Sequence, residues 1–142
     1  LLERGIVETF QEAFDRFLGK GKPFYIPKET LLLEEIIDLI HRGGGKAVIA
    51  HPLSLRLSIP EIGEHLPRWR DMGIDGIEAY HSKAKPQQAR KLEELAIRHR
   101  LIVTAGSDFH GQAKPERKIG KTTTKGRRIP DRFLDQLFAD HL

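Results

Sequence analysis

The chain has 142 residues, of which 39% are hydrophobic and 31% are charged, a balance typical of a folded globular domain. It contains no cysteine, which excludes a disulfide framework and a thiolate metal site, and no apolar run reaches the roughly 18 residues of a membrane helix. The first residues lack the pattern of a secretory signal, so we expect a cytoplasmic protein. Any metal would be held by His, Asp and Glu, which favours Mn, Fe or Zn.

The net charge of +4 is unevenly distributed along the chain. Residues 114–128 contain seven basic residues and one acidic residue: Lys114, Arg117, Lys118, Lys121, Lys125, Arg127, Arg128 and Glu116. Such a run can attract phosphate groups or nucleic acid, but it is also typical of a solvated loop. The sequence favours the loop, because no aromatic residues that could stack on bases are interleaved with the charges.

The first third of the chain predicts two amphipathic helices joined by a short extended stretch. Residues 5–18 place apolar side chains at the spacing of one buried helical face: Ile6, Phe10, Ala13, Phe14 and Phe17. Glycines and a proline end this helix, and residues 24–26 follow as the extended stretch. A second helix is predicted from residue 28 or 29 to His41, with its buried face formed by Leu32, Ile36, Ile37 and Ile40.

From residue 43 onward, short apolar strands alternate with longer helices. The predicted strands are residues 46–50, 74–80 and 101–105, and the predicted helices are residues 59–72, 86–99 and 130–140. This alternation is typical of parallel βα units in an α/β fold. Three units are too few to close a barrel, so the sequence predicts either a small open sheet or part of a barrel. Open sheet edges tend to pair, which would favour homo-oligomers.

Polar residues cluster at the carboxyl ends of all three predicted strands. They are His51 after the first strand, Glu78, Tyr80 and His81 at the end of the second, and Asp108 and His110 after the third. Active sites of parallel α/β proteins are built at this edge, because loops and helix N-termini converge there. The pattern therefore predicts a functional site at the carboxyl edge of the sheet.

Asp108, His110 and His51 are candidate metal ligands. Asp108 and His110 are two residues apart, so their side chains can point the same way in an extended turn, and Gly106 would let the backbone bend sharply before them. A carboxylate and an imidazole suit a divalent metal in the absence of sulfur. Pro52 should keep His51 extended and fix the direction of its imidazole. The alternative is an Asp108 that bonds only to its own turn, with an exposed histidine beside it.

The strand that contains Glu78 and His81 offers further candidates. His81 could be a metal ligand, a phosphate-binding group, a general acid or a plain loop residue. Strand alternation predicts that Glu78 and Tyr80 face one way and His81 the other. Glu78 would then either orient a metal ligand or form an ion pair at the edge of the core.

Several of these segments resemble one known family. Residues 43–52 (GGGKAVIAHP) resemble the Ala-His-Pro motif of the PHP (polymerase and histidinol phosphatase) family, and residues 106–110 (GSDFH) resemble its last motif. Residues 76–81 (GIEAYH), 13–23 and 25–27 are similar to the bacterial RNase AM-like, or TrpH-like, subgroup. The resemblance implies a metal-dependent phosphoesterase with a distorted (β/α)7 barrel that binds two or three metal ions.

The resemblance also implies an organisation of the chain and roles for its residues. Residues 1–42 would be part of a helical insertion and a connecting helix, and residues 43–142 the carboxyl-terminal βα units of the barrel. His51, Asp108 and His110 match metal ligands of the family. We further predict a catalytic role for His81 and substrate contacts from His81, Lys20 and Lys22.

The implied substrates are phosphomonoesters of nucleotides, such as nucleoside 3′,5′-bisphosphates, or short RNA trimmed from its 5′ end. The first-strand histidine motif of the family does not occur, since the first histidine is His41. We therefore expect a carboxyl-terminal fragment that is inactive alone and whose partner is the N-terminal half of the barrel. The alternatives are a nucleic-acid-binding module that uses the basic segment, and a structural domain with a vestigial metal site.

Overall fold

The computed structural model describes residues 1–28, 30–123 and 125–138. The chain divides into two compact units, Leu1–Leu32 and Leu33–Leu142. In the described residues, no helix has both the length and the apolar character needed to cross a bilayer.

The first unit has less regular structure than the sequence predicts. Helix α1 covers only Phe10–Ala13 and continues as a π-helical segment, Phe14–Leu18. It begins late because Thr9 is its N-cap, with the Thr9 hydroxyl accepting a hydrogen bond from the Glu12 amide at 3.0 Å. The predicted buried face is wrong for Phe10 and Phe14, which are 78% and 53% exposed. Of the predicted extended stretch, Phe24 lies in a turn and residues 25–26 have no regular secondary structure.

The second unit is built from parallel βα units, as the sequence predicts. Its helices are α2 (Leu33–Arg42), α3 (Ile59–Asp71), α4 (Pro86–Arg98) and α5 (Arg132–Phe138), and its three parallel strands are β1 (Val48–Ile49), β2 (Gly76–His81) and β3 (Ile102–Gly106). The strand order is β1-β2-β3, with β2 in the centre. The α/β class is therefore confirmed. The predicted end of the last helix, residues 139–140, lies outside the described residues.

Local sequence signals explain the positions of the central helices. Ser58 and Glu61 form a capping box at the start of α3, and proline occupies the first turn of both α3 and α4. Helix α2 starts at Leu33, later than predicted, and only Ile37 of its predicted apolar face is buried. Ile36 is 41% exposed and Leu32 is 68% exposed, so the buried stripe of this helix is narrower than its periodicity indicates.

The core lies between the central strand and the helices that cover it. Ile62 and Leu66 of α3, Ile77 of β2, Leu92 of α4 and Val103 of β3 are almost completely buried in one cluster. Each such side chain stabilises the fold by about 1.5–3 kcal/mol relative to an exposed one. This core fixes β2 and β3 against α3 and α4, and so fixes the edge from which the candidate residues project.

The basic segment is more ordered than the predicted solvated loop. It contains an antiparallel pair, β4 (Lys121–Thr122) with β5 (Arg127–Arg128), and a 3₁₀ turn (Gly111–Ala113) immediately precedes it. Arg117, in the middle of the segment, is only 6% exposed. The solvated-loop interpretation is wrong for Arg117, whose buried guanidinium pairs with Asp108. The other basic side chains of the segment are mostly exposed, as the interpretation predicts: Lys118, Lys121, Lys125, Arg127 and Arg128.

Candidate functional site

A pocket of about 650 Å³ lies at the carboxyl edge of the three-stranded sheet. The sequence-predicted residues that line it are His51, Glu78, His81, Asp108 and His110. They come from the ends of all three strands, which meet at one edge because the strands are parallel. The structure therefore brings together the candidates that the sequence places at separate strand ends.

His51 adopts a strained backbone conformation at the mouth of this pocket. Its φ of 36° and ψ of 58° are left-handed, so the expectation of an extended residue before Pro52 is wrong. The strained backbone is supported by the Glu78 carboxylate, which accepts a hydrogen bond from the His51 amide at 2.6 Å. The imidazole Nδ1 lies 2.9 Å from the Ser54 hydroxyl. With the proton on Nδ1 donated to that hydroxyl, the Nε2 lone pair is free to bind a metal.

Asp108 is the second strained residue of the pocket, with a φ of 50°. The sharp turn after β3 is made by Asp108 itself, and not by Gly106 as expected from the sequence. Gly106 serves a different purpose, because a Cβ atom there would collide with the Glu78 carboxylate. Strained non-glycine residues cluster at functional sites, where the surrounding structure holds them in place.

His110 is held through its own main chain. Its Nδ1 donates a hydrogen bond to the Asp108 carbonyl at 2.6 Å, and a carbonyl can only accept, so the proton is on Nδ1. The Nε2 atom of a neutral His110 therefore carries a lone pair, and it lies 3.5 Å from the Lys114 ammonium nitrogen. A carbonyl that orients an imidazole in this way is the usual arrangement of a metal-binding histidine.

His81 has the opposite tautomer. Its Nδ1 accepts a hydrogen bond from the Lys83 amide at 3.2 Å, so the proton of the neutral imidazole is on Nε2. That Nε2 is buried and has no hydrogen-bond partner among the described residues, although the Asp108 carboxylate is 3.4 Å away. Burial lowers the pKa of His81, the charges of His51, Arg117 and Lys83 lower it further, and Glu78 opposes them. His81 is thus a neutral donor whose Nε2–H lies near the Asp108 carboxylate.

A bulge in β2 explains why Glu78 and His81 line the same pocket. The register between β2 and β3 shifts between Glu78 and Tyr80, which leaves Ala79 as an extra residue. The prediction that His81 faces away from Glu78 is therefore wrong. Tyr80 turns to the other side, where its hydroxyl donates to Glu93 at 2.5 Å and its ring packs against Phe133. No residue pattern in β2 signals this bulge.

Basic side chains surround the Asp108 carboxylate. Arg117 contacts it in an ion pair and also donates to the Asp108 carbonyl at 3.0 Å, and Lys114 lies 3.7 Å from Oδ2. Sequence reasoning missed Arg117 as part of the site, because it is one of seven basic residues in its segment. The only signal in the sequence is its position shortly after the Asp-x-His pattern.

Similar proteins of known description indicate the family to which the chain is related. No family model matches the sequence. The chain is 35% identical over 121 residues to the 5′-3′ exoribonuclease Rnm of Salmonella typhimurium, covering 85% of the chain and 41% of the relative. It is 31% identical over 122 residues to a 3′,5′-nucleoside bisphosphate phosphatase of Chromobacterium violaceum, covering 86% of the chain and 43% of the relative. The chain thus spans about two fifths of the length of these relatives.

Solved structures agree with these relatives. A protein of Bifidobacterium adolescentis described as a metal-dependent phosphoesterase superposes with a TM-score of 0.70 at 31% identity, over 98% of this chain and 47% of that one. The chain belongs to the PHP family. An amidohydrolase structure from Chromobacterium violaceum, with bound sulfate and no metal, superposes on the PHP-family chain with a TM-score of 0.64 at 30% identity, over 92% and 43% of the two chains.

Metal ions are expected in a PHP-family site, and the donors in the pocket suit them. His51 and His110 are both engaged through Nδ1, so a metal would bind through Nε2, which at His110 requires the Lys114 ammonium to move away. The Asp108 carboxylate lines the same pocket. Within the described residues, however, no group of three histidine or carboxylate side chains is arranged closely enough to hold an ion. The chain therefore provides donors of the right chemistry without a closed cage.

The two remaining sequence-predicted residues lie in the other unit of this PHP-family chain. Lys20 and Lys22 are both exposed, in the segment that follows α1 and its π-helical continuation. Their predicted contact with substrate stays a prediction.

Proposed function

We propose that the chain carries the carboxyl-terminal part of a metal-dependent phosphoesterase barrel that hydrolyses phosphomonoesters of nucleotides or trims short RNA from the 5′ end. The observation that carries the proposal is the pocket lined by His51, Asp108 and His110, with both imidazoles oriented through Nδ1. The relatives, a 5′-3′ exoribonuclease and a nucleoside bisphosphate phosphatase, supply the substrate classes. We propose that the reaction takes place in the cytoplasm, where nucleotides and RNA are abundant.

In this proposal His51, Asp108 and His110 bind divalent metal through nitrogen and oxygen donors, which suit Mn, Fe or Zn. A metal bound there would activate a water and stabilise negative charge on the phosphoryl oxygens, and the complete barrel would hold two or three ions. Glu78 would not bind the metal itself. Its carboxylate accepts the hydrogen bond of the His51 amide, which fixes the His51 backbone and so the position of its imidazole.

His81 is the proposed catalytic residue that touches substrate. Its Nε2–H is buried at the pocket wall without a hydrogen-bond partner among the described residues, so a phosphoryl or leaving-group oxygen would satisfy it. The Lys83 amide holds the ring in the donor tautomer. Lys20 and Lys22 are proposed to contribute positive charge to the substrate phosphates from the first unit.

We also propose that the 142-residue chain turns over slowly or not at all by itself. The chain covers 41% of the exoribonuclease relative, and its described residues provide no closed metal cage. The partner that completes the site would be the N-terminal half of the barrel. In its absence the outer strands β1 and β3 offer edges through which copies of the chain could associate.

The test is hydrolysis of a nucleoside 3′,5′-bisphosphate and of a short 5′-phosphorylated RNA with Mn²⁺. The chain alone should release little phosphate, and adding a polypeptide that contains the N-terminal barrel half of a relative should increase the rate. Rates for the chain alone that equal those of an intact relative would contradict the proposed inactivity. A complemented rate that His110→Ala leaves unchanged would contradict the proposed site.

A further inference from the structure

A second pocket, of about 550 Å³, lies beside the candidate site and is lined by basic and hydroxyl side chains. We call it the basic pocket, after six of the residues that line it: Ser82, Lys83, Arg117, Lys118, Lys121 and Thr123. Lys83 also lines the first pocket, and Arg117 contacts Asp108 directly. The two pockets are therefore neighbours that share a wall.

The basic pocket contains buried hydroxyl groups without partners. Ser82 Oγ and Thr123 Oγ1 are inaccessible and form no hydrogen bond within the described part of the chain. Buried hydroxyls in folded proteins almost always have a partner, so each such group requires an explanation. Thr123 is 5% exposed and has a φ of 62°, a costly conformation for a β-branched residue. Its amide donates to the His81 carbonyl at 3.1 Å, which ties it to the end of β2.

The positive charge of the basic pocket is not balanced by acidic side chains among the described residues. Arg117 is already engaged by Asp108 and lies 3.6 Å from Glu116, the one acidic residue of the lining. Lys83, Lys118 and Lys121 are exposed, and none of them forms an ion pair with any described residue. Three cations around buried hydroxyl donors are a suitable environment for an oxyanion.

We propose that the basic pocket binds a second phosphate group of the substrate while the first lies in the neighbouring pocket. The nature of that substrate rests on the function proposed above, a phosphoesterase for nucleotides or short RNA. Lys118 and Lys121 supply charge, and Ser82 and Thr123 donate hydroxyl hydrogen bonds to the phosphate oxygens. Arg117 separates the two phosphate positions, because it lines the basic pocket and faces Asp108 in the first.

The site is tested first with inorganic phosphate and without metal. The full chain is titrated at constant ionic strength with chloride as the balancing anion, and backbone amide NMR shifts are followed. The amides of Ser82, Lys83 and Thr123 should shift in a saturable manner. Thr123→Val and the double variant Lys118→Gln/Lys121→Gln should each weaken binding about tenfold, as expected for losing hydrogen bonds to a charged group.

Lys91→Gln is the matched control, because Lys91 is exposed on α4 and lines neither pocket. It removes the same charge as each lysine change in the double variant and should leave phosphate affinity unchanged. An equal loss of affinity in Lys91→Gln would overturn the proposal in favour of diffuse attraction. Absence of saturable shifts in the unmodified chain would overturn it as well.

A second comparison separates a substrate site from a site for free phosphate. A nucleoside 3′,5′-bisphosphate should bind the metal-free chain more tightly than the matching 5′-monophosphate, and Lys118→Gln/Lys121→Gln should remove the difference. Equal affinities for the two nucleotides would refute the second-phosphate role. These binding measurements involve neither metal nor turnover, so they test the basic pocket independently of the proposed function. Loss of phosphate binding with metal-dependent hydrolysis intact would refute the phosphate site alone. Phosphate binding without metal-dependent hydrolysis would refute only the proposed function.

Discussion

Asp108 is the residue on which the contacts of the candidate site converge. His81, His110, Lys114 and Arg117 all lie within ion-pairing distance of its carboxylate. Lys114 and Arg117 carry positive charge, and His110 carries it when protonated, around one carboxylate that is about one-fifth exposed. The local electrostatics of the site are therefore those of an anion enclosed by donors, and replacing one donor has predictable effects.

Replacing Arg117 by Met should destabilise the fold by about 1–3 kcal/mol, because it leaves the Asp108 carboxylate and main-chain carbonyl without their strongest donor. Denaturant unfolding monitored by circular dichroism measures the change. Arg68→Met is the matched control, since Arg68 is exposed on α3 and should change stability by less than about 0.5 kcal/mol. Equal stability losses for the two variants would show that the buried pair contributes nothing specific.

Gly106→Ala should also destabilise the chain, by about 1–3 kcal/mol, since the added methyl group displaces the Glu78 carboxylate and leaves the His51 amide without its acceptor. The amide resonance of His51 should therefore move. Gly63→Ala is the control, because the new methyl group on α3 meets only the flexible Leu95 side chain and alanine favours a helix. A Gly106→Ala variant as stable as Gly63→Ala would contradict this view of Gly106.

At the residue scale the sequence was informative where chemistry depends on position along a strand. His51, Asp108 and His110 could be placed at the sheet edge because the carboxyl ends of parallel strands coincide. The left-handed conformations of His51 and Asp108 could not be foreseen, since they depend on contacts made after folding. The same holds for Arg117, whose partner is nine positions away and whose neighbours in sequence are equally basic.

The elements that could be predicted are those whose ends are marked by capping residues and prolines in the sequence. Helices α3 and α4 have prolines in the first turn and capping interactions, and their predicted bounds agree with the structure to within about a residue. The predicted buried face of the first helix is wrong because apolar periodicity indicates a helical face but does not guarantee that other residues cover it. Phe10 and Phe14 remain exposed. The predicted side-chain directions in β2 are wrong for another reason, because one extra residue at the bulge reverses the direction of every side chain after it.

A hydrogen-bonded chain of residues that do not line the candidate pocket joins three elements. Tyr80 of β2 donates to Glu93 of α4, and Glu93 pairs with Arg132 of α5 at 2.9 Å. Burial raises the pKa of the Tyr80 phenol, and the hydrogen bond to Glu93 and its charge raise it further. The folded state therefore favours the neutral phenol.

The sign of the pH effect follows from that raised pKa. The stabilisation by Tyr80 is fully present below its ordinary pKa of 10.0 and is lost as pH rises through the higher folded value. Stability measured in urea should fall in this alkaline range, and tyrosinate absorbance should show a late transition. Tyr80→Phe should remove both effects and cost about 1 kcal/mol at neutral pH. A late transition that survives in Tyr80→Phe would contradict the assignment.

At the scale of the whole molecule, the second unit is a set of three parallel βα units that presents donors at one edge. Its family membership and its α/β class agree with the sequence resemblance. The closed barrel that the resemblance implies involves chain that the relatives possess beyond the matched region, since 41% of the exoribonuclease relative is covered. A pocket with an incomplete donor cage among the described residues agrees with the proposal that these βα units belong to such a barrel.

The central claim is that the pocket at the carboxyl edge of the sheet is a divalent metal site. Titration calorimetry with Mn²⁺ on the unmodified chain and on His51→Ala, Asp108→Asn and His110→Ala tests it most directly, with circular dichroism as a check of folding. Each variant should lose at least about tenfold in affinity, while His65→Ala, on exposed α3 surface, should bind like the unmodified chain. Equal Mn²⁺ affinity in all five proteins, or no binding by the unmodified chain even after the N-terminal barrel half of a relative is added, would contradict the account.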